Sequence, residues 1–295
     1  MASIPSRRLA GKRTLSPQDI ERDCLLTGPY DVRNATWPKS RPMITDPWFY
    51  AAALPIVFLV GLSKGGFLTG LGLLGVPLLS LVVPPTVAAG ILLPVLLAMD
   101  AVGVWSYRKT FDKQHLAVLL PGSIAGLAVG WLTAAYVTES HIAIIVGVIG
   151  LMFMFYNSYL KFHAMPSHPV GPAIGRVLAA GAGFTSFISH AGGPLAQIYL
   201  QPQKLPPVMF AGTMVMCFAA LNLIKVVPFI LLGMINIRNF EASLALFPMA
   251  VIAALCGVWM AKHVSQERFY FIANVCLAIV SVELIRTGVL ALMRH

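Results

Sequence analysis

Two basic side chains stand where an ordinary membrane helix would carry leucine. Lys64 lies in Gly61–Leu81, GLSKGGFLTGLGLLGVPLLSL, and His190 lies in Gly181–Leu200, GAGFTSFISHAGGPLAQIYL. Both stretches are apolar enough for a bilayer, yet both are interrupted by glycines and a proline. Irregular backbone at membrane depth is tolerated only where protein buries it or where it lines a cavity. Such paired interruptions point to a binding site between them.

A basic residue at mid-membrane costs about 2.5–3.5 kcal/mol on insertion scales, so Lys64 needs compensation. One reading makes it an anion attractor in a cavity floored by Gly65, Gly66, Gly70 and Gly72. Glycines let backbone N–H groups approach a ligand closely, and a half-helix N-terminus adds partial positive charge. The plainer reading is a lysine that snorkels to an interface or pairs structurally. In the second break Ser186, Ser189, His190, Gly192 and Gly193 cluster within eight residues. His190 can donate a hydrogen bond to an anion or carry a proton, because imidazole titrates near neutrality; the plainer reading is a satisfied structural histidine. Lys225 follows Asn222 at i+3, on one helix face. Asp100 reads as the neutraliser of Lys225 or Lys64, as a protonation site, or as half of a purely structural pair. The substrate-binding candidates are therefore Lys64, Gly65, Gly66, Gly70, Gly72, Ser189, His190, Gly192, Gly193, Asn222 and Lys225, with Asp100 and His190 as proton-coupling candidates. Glu283 and Arg286, also at i and i+3, read as a structural pair.

The elements that must position these groups follow from composition. Hydrophobic residues make up 58% of the chain and charged residues 11%, against roughly a quarter charged in soluble domains. The apolar residues fall in runs long enough to span a bilayer as helices; they are continuous rather than alternating, which excludes a β-barrel. The fold class expected is an all-α integral membrane protein. Eight spanning regions are read, at about 48–82 (broken), 86–107, 115–136, 141–160, 175–200 (broken), 208–232, 242–262 and 267–290. Residues 1–45 carry eight Lys/Arg and four Asp/Glu without a long apolar run and read as a mostly disordered cytoplasmic tail. No signal peptide is expected, because the first hydrophobic stretch begins near Trp48. With the N-terminus inside, sixteen Lys/Arg fall in inner segments and three in outer loops, so both termini are expected in the cytoplasm. The net charge of +10 is read as this topological bias, with no nucleic-acid partner. Pro94, Pro121, Pro228 and Pro248 read as helix kinks, and Trp48, Tyr50, Trp105, Tyr107 and Trp131 as aromatic-belt residues.

The chain also repeats itself. PPTVAAG at 84–90 matches PPVMFAG at 206–212, and ten residues after each final glycine stand Asp100 and Asn222, an offset of 122. Pro121, Gly130 and Val137 match Pro248, Gly257 and Val264 at an offset of 127. Two homologous four-segment repeats are expected, 46–165 and 166–295, each opening with a glycine-broken, crossing or re-entrant, helix. Cys24, Cys217, Cys256 and Cys276 show no ligand spacing, so neither a disulfide framework nor a metal site is indicated, and no cofactor is expected.

These landmarks resemble the TauE/SafE family, the sulfite exporter or 4-toluene sulfonate uptake permease family. The matching residues are the glycine-rich break ending in Gly75–Val76–Pro77, the Pro84–Pro85 turn, and Gly192–Gly193–Pro194 with Pro206–Pro207 after it. The resemblance covers about residues 48–290. One departure is Thr69–Gly70–Leu71–Gly72, where members often carry three consecutive glycines. The resemblance implies transport of sulfur-containing anions such as sulfite or organosulfonates, driven by the proton gradient. The leading expectation is a secondary transporter for a small anion, working by alternating access in the cell membrane. A passive anion channel is the alternative. An intramembrane enzyme fits less well, since no HExxH, GxSxG or paired aspartates of intramembrane-protease type occur.

Overall fold

The computed structural model describes residues 47–66, 71–79, 82, 83, 85–134 and 169–293, with isolated positions between 144 and 159. The tail 1–45, Gly70 and most of the expected fourth span lie outside the described residues. All regular structure among the described residues is helical. The elements are α1 (Pro47–Lys64), α2 (Gly75–Leu79), α3 (Pro85–Tyr107), α4 (Lys113–Thr133), α5 (Pro172–Ser189), α6 (Gly193–Leu200), α7 (Pro207–Leu231), α8 (Ile237–His263) and α9 (Gln266–Met293). Helices α1, α4, α7 and α8, and α3 from Val87, are long and apolar enough to cross a membrane. Their outward residues, such as Leu132, Leu223, Leu231 and Trp259, are large and apolar, as lipid contact requires.

Helix starts follow local chemistry. Proline opens α3, α5 and α7, where the missing N–H costs nothing. Asp112 caps α4 by accepting the His115 N–H at 2.9 Å. Asn236 caps α8 by accepting the Asn239 N–H at 3.0 Å. Burial works to raise the Asp112 carboxyl, but the hydrogen bonds and charge of His115 outweigh it and hold the group below its ordinary value. The four prolines read as kinks all lie inside helices, and Pro55 adds a fifth in α1.

Two seams set the architecture: α4 runs along α5, and α8 runs along α1 and α3. Both seams on the broken helices are glycine-lined. A Cβ on Gly126 of α4 would strike the Ala180 carbonyl of α5, and one on Gly183 would strike that of Ser123. A Cβ on Gly65 would sit 2.5 Å from the Ala254 carbonyl of α8, and one on Gly257 would sit 2.5 Å from the Leu62 carbonyl. Hydrocarbon gives helices no hydrophobic reason to associate, so backbone-to-backbone closeness at small residues supplies the attraction. Between the seams α3 packs on α7, bringing Asp100 and Asn222 together in the protein interior.

The aromatic-belt expectation needs correcting at Tyr107. Trp48, Trp105 and Trp131 are exposed and Tyr50 is half-buried, but Tyr107 is fully buried. The Tyr107 hydroxyl donates to the Gly65 carbonyl at 2.7 Å, so this residue braces the first break from α3.

Candidate functional site

Helix α1 stops at Lys64 because Gly66 adopts φ +95°, a conformation open to glycine and strained for other residues. A Cβ there would also lie 2.5 Å from that of Ala211. Lys64 projects from this end toward α3, where its Nζ lies 2.7 Å from Asp100 Oδ1. The other oxygen, Asp100 Oδ2, accepts from Asn222 Nδ2 of α7 at 2.6 Å. Both carboxylate oxygens are thus engaged, and Asp100 and Asn222 are 3% and 2% exposed. A buried ion pair is tolerated when its remaining lone pairs are satisfied in this way. The Lys64 ammonium also lies 5.7 Å from the Phe218 ring centroid, within cation–π range.

The second break ends differently. Helix α5 closes at His190, which takes a left-handed conformation at φ 54° and returns its N–H to the Ser186 carbonyl. The imidazole Nδ1 lies 2.8 Å from Lys225 Nζ. Lys225, wholly buried in α7, also donates to the Ser186 carbonyl at 3.0 Å and reaches Ser186 Oγ at 3.1 Å. His190 Nε2 is buried and makes no hydrogen bond of ordinary geometry, although the Ala89 backbone lies within its electrostatic reach.

Between the two ends lies a cavity of about 620 Å3 including its open mouth. Ser63, Lys64, Gly66 and Gly72 line it from the first break, and Ser186, His190 and Gly193 from the second. Asn222 of α7 adds a further polar group to the lining, while Leu96, Met214, Val215 and Phe218 are apolar. The site therefore combines a charge and hydrogen-bonding groups with hydrocarbon. Among the described residues no group of three or more His, Cys, Asp or Glu could hold a metal ion.

Of the residues singled out from sequence, Lys64, Gly66, Gly72, His190, Gly193 and Asn222 meet at this cavity. Asp100 stands behind Lys64, and Lys225 stands behind His190. Gly65 and Gly192 lie off the cavity lining. Gly65 is a glycine because α8 approaches it, and a Cβ on Gly192 would meet the Ala182 carbonyl and the Phe218 ring. Ser189 turns its hydroxyl back to the Thr185 carbonyl at 3.5 Å; Ser186, three residues earlier, lines the cavity instead. The expectation of free backbone N–H groups in the first break is also corrected. Gly65 N–H bonds Gly61 O at 2.8 Å, Gly66 N–H bonds Ser63 O at 3.0 Å, and Gly72 N–H bonds Ser63 Oγ at 2.9 Å. In the first break the amides of Gly65, Gly66 and Gly72 are thus already engaged.

Sequence reasoning passed over Ser63, Tyr107 and Phe218 as site residues. Phe218 is four residues before Asn222 and shares its helix face, a spacing that carried the signal. Ser63 adjoins Lys64 but looks like any small polar residue. Nothing in sequence joins Tyr107 to a carbonyl 42 positions away.

With this geometry in view, comparison with known proteins gives one family. The family model described as Sulfite exporter TauE/SafE matches residues 53–284, which takes in both breaks and every described cavity residue. No curated protein and no solved structure matches the chain.

Proposed function

The chain belongs to the sulfite exporter TauE/SafE family, a family of membrane transporters, and on that premise we propose that it is a secondary carrier for a small anion, sulfite or an organosulfonate, working by alternating access around its two broken helices. The observation that carries the proposal is the Lys64–Asp100 pair at the cavity wall. A partly exposed ammonium held by a carboxylate is a cation that another anion can capture.

Capture has a consequence for protons. If a substrate anion takes Lys64, Asp100 is left buried with Asn222 as its remaining partner. A buried carboxylate without a counter-charge takes up a proton rather than remain ionised. Substrate and proton binding are thereby linked, with Asp100 as the proton site and Lys64, His190, Ser186 and Asn222 as anion donors. We read the eight expected spans as two repeats of this machinery with cytoplasmic termini. Two observations support the repeat: Asp100 and Asn222, equivalent by the 122-residue offset, touch each other, and α4 lies on α5 as α8 lies on α1.

The test is binding followed by flux. Sulfite or an organosulfonate should raise the melting temperature of the purified protein by mass action, and Lys64→Met should abolish the shift while leaving a folded protein when combined with Asp100→Asn. In proteoliposomes, labelled substrate should show counterflow, which a passive channel cannot give. Undiminished anion binding and transport in Lys64→Met would sink the reading.

A further inference from the structure

Lys225 is the second cation near the cavity, yet its surroundings are not those of an anion ligand. It has no exposed surface. Its ammonium carries three hydrogens, and three acceptors surround it: the Ser186 carbonyl, Ser186 Oγ and His190 Nδ1. The carboxylate in the neighbourhood, Asp100, is already engaged by Lys64 and Asn222. The charged groups acting on Lys225 are Lys64 on α1 and Asp100 on α3. The ammonium therefore sits in an oxygen-and-nitrogen cradle at the last turn of a helix that stops inside the protein.

That position has its own electrostatics. The carbonyl end of a helix carries partial negative charge, and an interrupted membrane helix displays that charge in the interior. In carriers built from broken helices such carbonyl ends coordinate the coupling cation. We propose that the Lys225 ammonium is a tethered cation filling that place at the end of α5, so that the protein binds no metal cation there and Lys225 acts as a positioning residue for His190. The bond to Nδ1 fixes the ring as the Nε2–H tautomer and holds His190 in its left-handed backbone conformation. The α1 end needs no borrowed cation, because Lys64 belongs to its own last turn.

The cradle predicts a chemical rescue. Lys225→Ala deletes the equivalent of one n-propylammonium ion. The full-length variant, purified in detergent, is melted with n-propylammonium, n-propanol, choline or sodium at equal concentration. Lys225→Ala should melt several degrees below wild type, and n-propylammonium alone should restore it in a saturable way. If Lys225→Ala is not recoverable without ligand, purification in n-propylammonium should yield it, and Lys225→Met, which keeps the stem, should still melt below wild type. A second readout is the ring 15N spectrum of His190, assigned among the seven histidines by its loss in His190→Asn. Wild type should show a single Nε2–H tautomer and Lys225→Met a mixture. Rescue by n-propanol as good as by the amine, a Lys225→Met melting point at or above wild type, an unchanged tautomer, or sodium stabilisation of wild type that Lys225→Ala loses would each overturn the proposal. None of these samples contains a transported anion, so their failure leaves the anion reading standing, and a failed anion assay leaves this one standing.

Discussion

At the end of α1 the cation is part of the helix; at the end of α5 it arrives from α7. The first is held by a carboxylate, Asp100, and the second by neutral acceptors on Ser186 and His190. The helix terminators differ in step. Gly66 closes α1 with a residue suited to positive φ, whereas His190 closes α5 against its conformational preference, which costs about 1–2 kcal/mol for a side chain with Cβ. The contrast teaches which end is built for exchange. An ion pair at a cavity wall can trade partners, while a fully coordinated ammonium and a strained histidine make a fixed scaffold.

The largest test of this contrast removes Asp100. Asp100→Ala strands Lys64 and should lose about 3–5 kcal/mol of unfolding free energy, the range for breaking a buried pair from one side. Adding Lys64→Met should recover most of it in a chemical-denaturation double-mutant cycle; purely additive losses would mean that the two groups are not a pair. Next in size is the terminator. Gly66→Ala should cost about 1–3 kcal/mol through overpacking against Ala211 together with its positive φ, whereas His190→Gly should change melting little, because relieved backbone strain offsets a lost acceptor for Lys225. Equal destabilisation at both positions would break the comparison. Smaller still, Tyr107→Phe removes one donor to Gly65 and should cost about 1 kcal/mol, with no effect on the His190 ring tautomer. The smallest effect lies away from both breaks. Because the Asp112 carboxyl is held below its ordinary value in the folded protein, its stabilising contribution is present above the unfolded-state value and lost as pH falls through the folded one. The melting difference between wild type and Asp112→Asn should therefore be present at neutral pH and vanish in strong acid.

Much of this was legible in the sequence. Lys64 and His190 announced themselves because a basic residue among glycines in an apolar run demands a partner. The 122-residue offset placed Asp100 and Asn222 at matching positions, and the structure joins them by a hydrogen bond. The pairing itself was not legible. Lys225 and Lys64 were equal candidates for Asp100 on spacing, and which helix packs on which decides between them. The glycines misled for the same reason. Gly65 looked like a residue cleared for a ligand, whereas the space it leaves is filled by the backbone of α8. Ser186 and Ser189 differ by less than one turn, and the direction of the helix face selects Ser186.

The glycine seams also set a timetable for synthesis. Lys64 meets Asp100 after 36 more residues, and His190 meets Lys225 after 35, so each buried charge finds its partner soon after it emerges. The close-packing partner of α1 is α8, whose first residue, Ile237, follows Pro47 by 190 positions. At about 5–20 residues per second, the Gly61–Gly65 face waits on the order of ten to forty seconds in the nascent chain with its groove unfilled. The charge partners are near in sequence and the shape partner is far, so a nascent chain cut short before α8 carries both members of the salt bridge but lacks the helix that closes the groove over the first break.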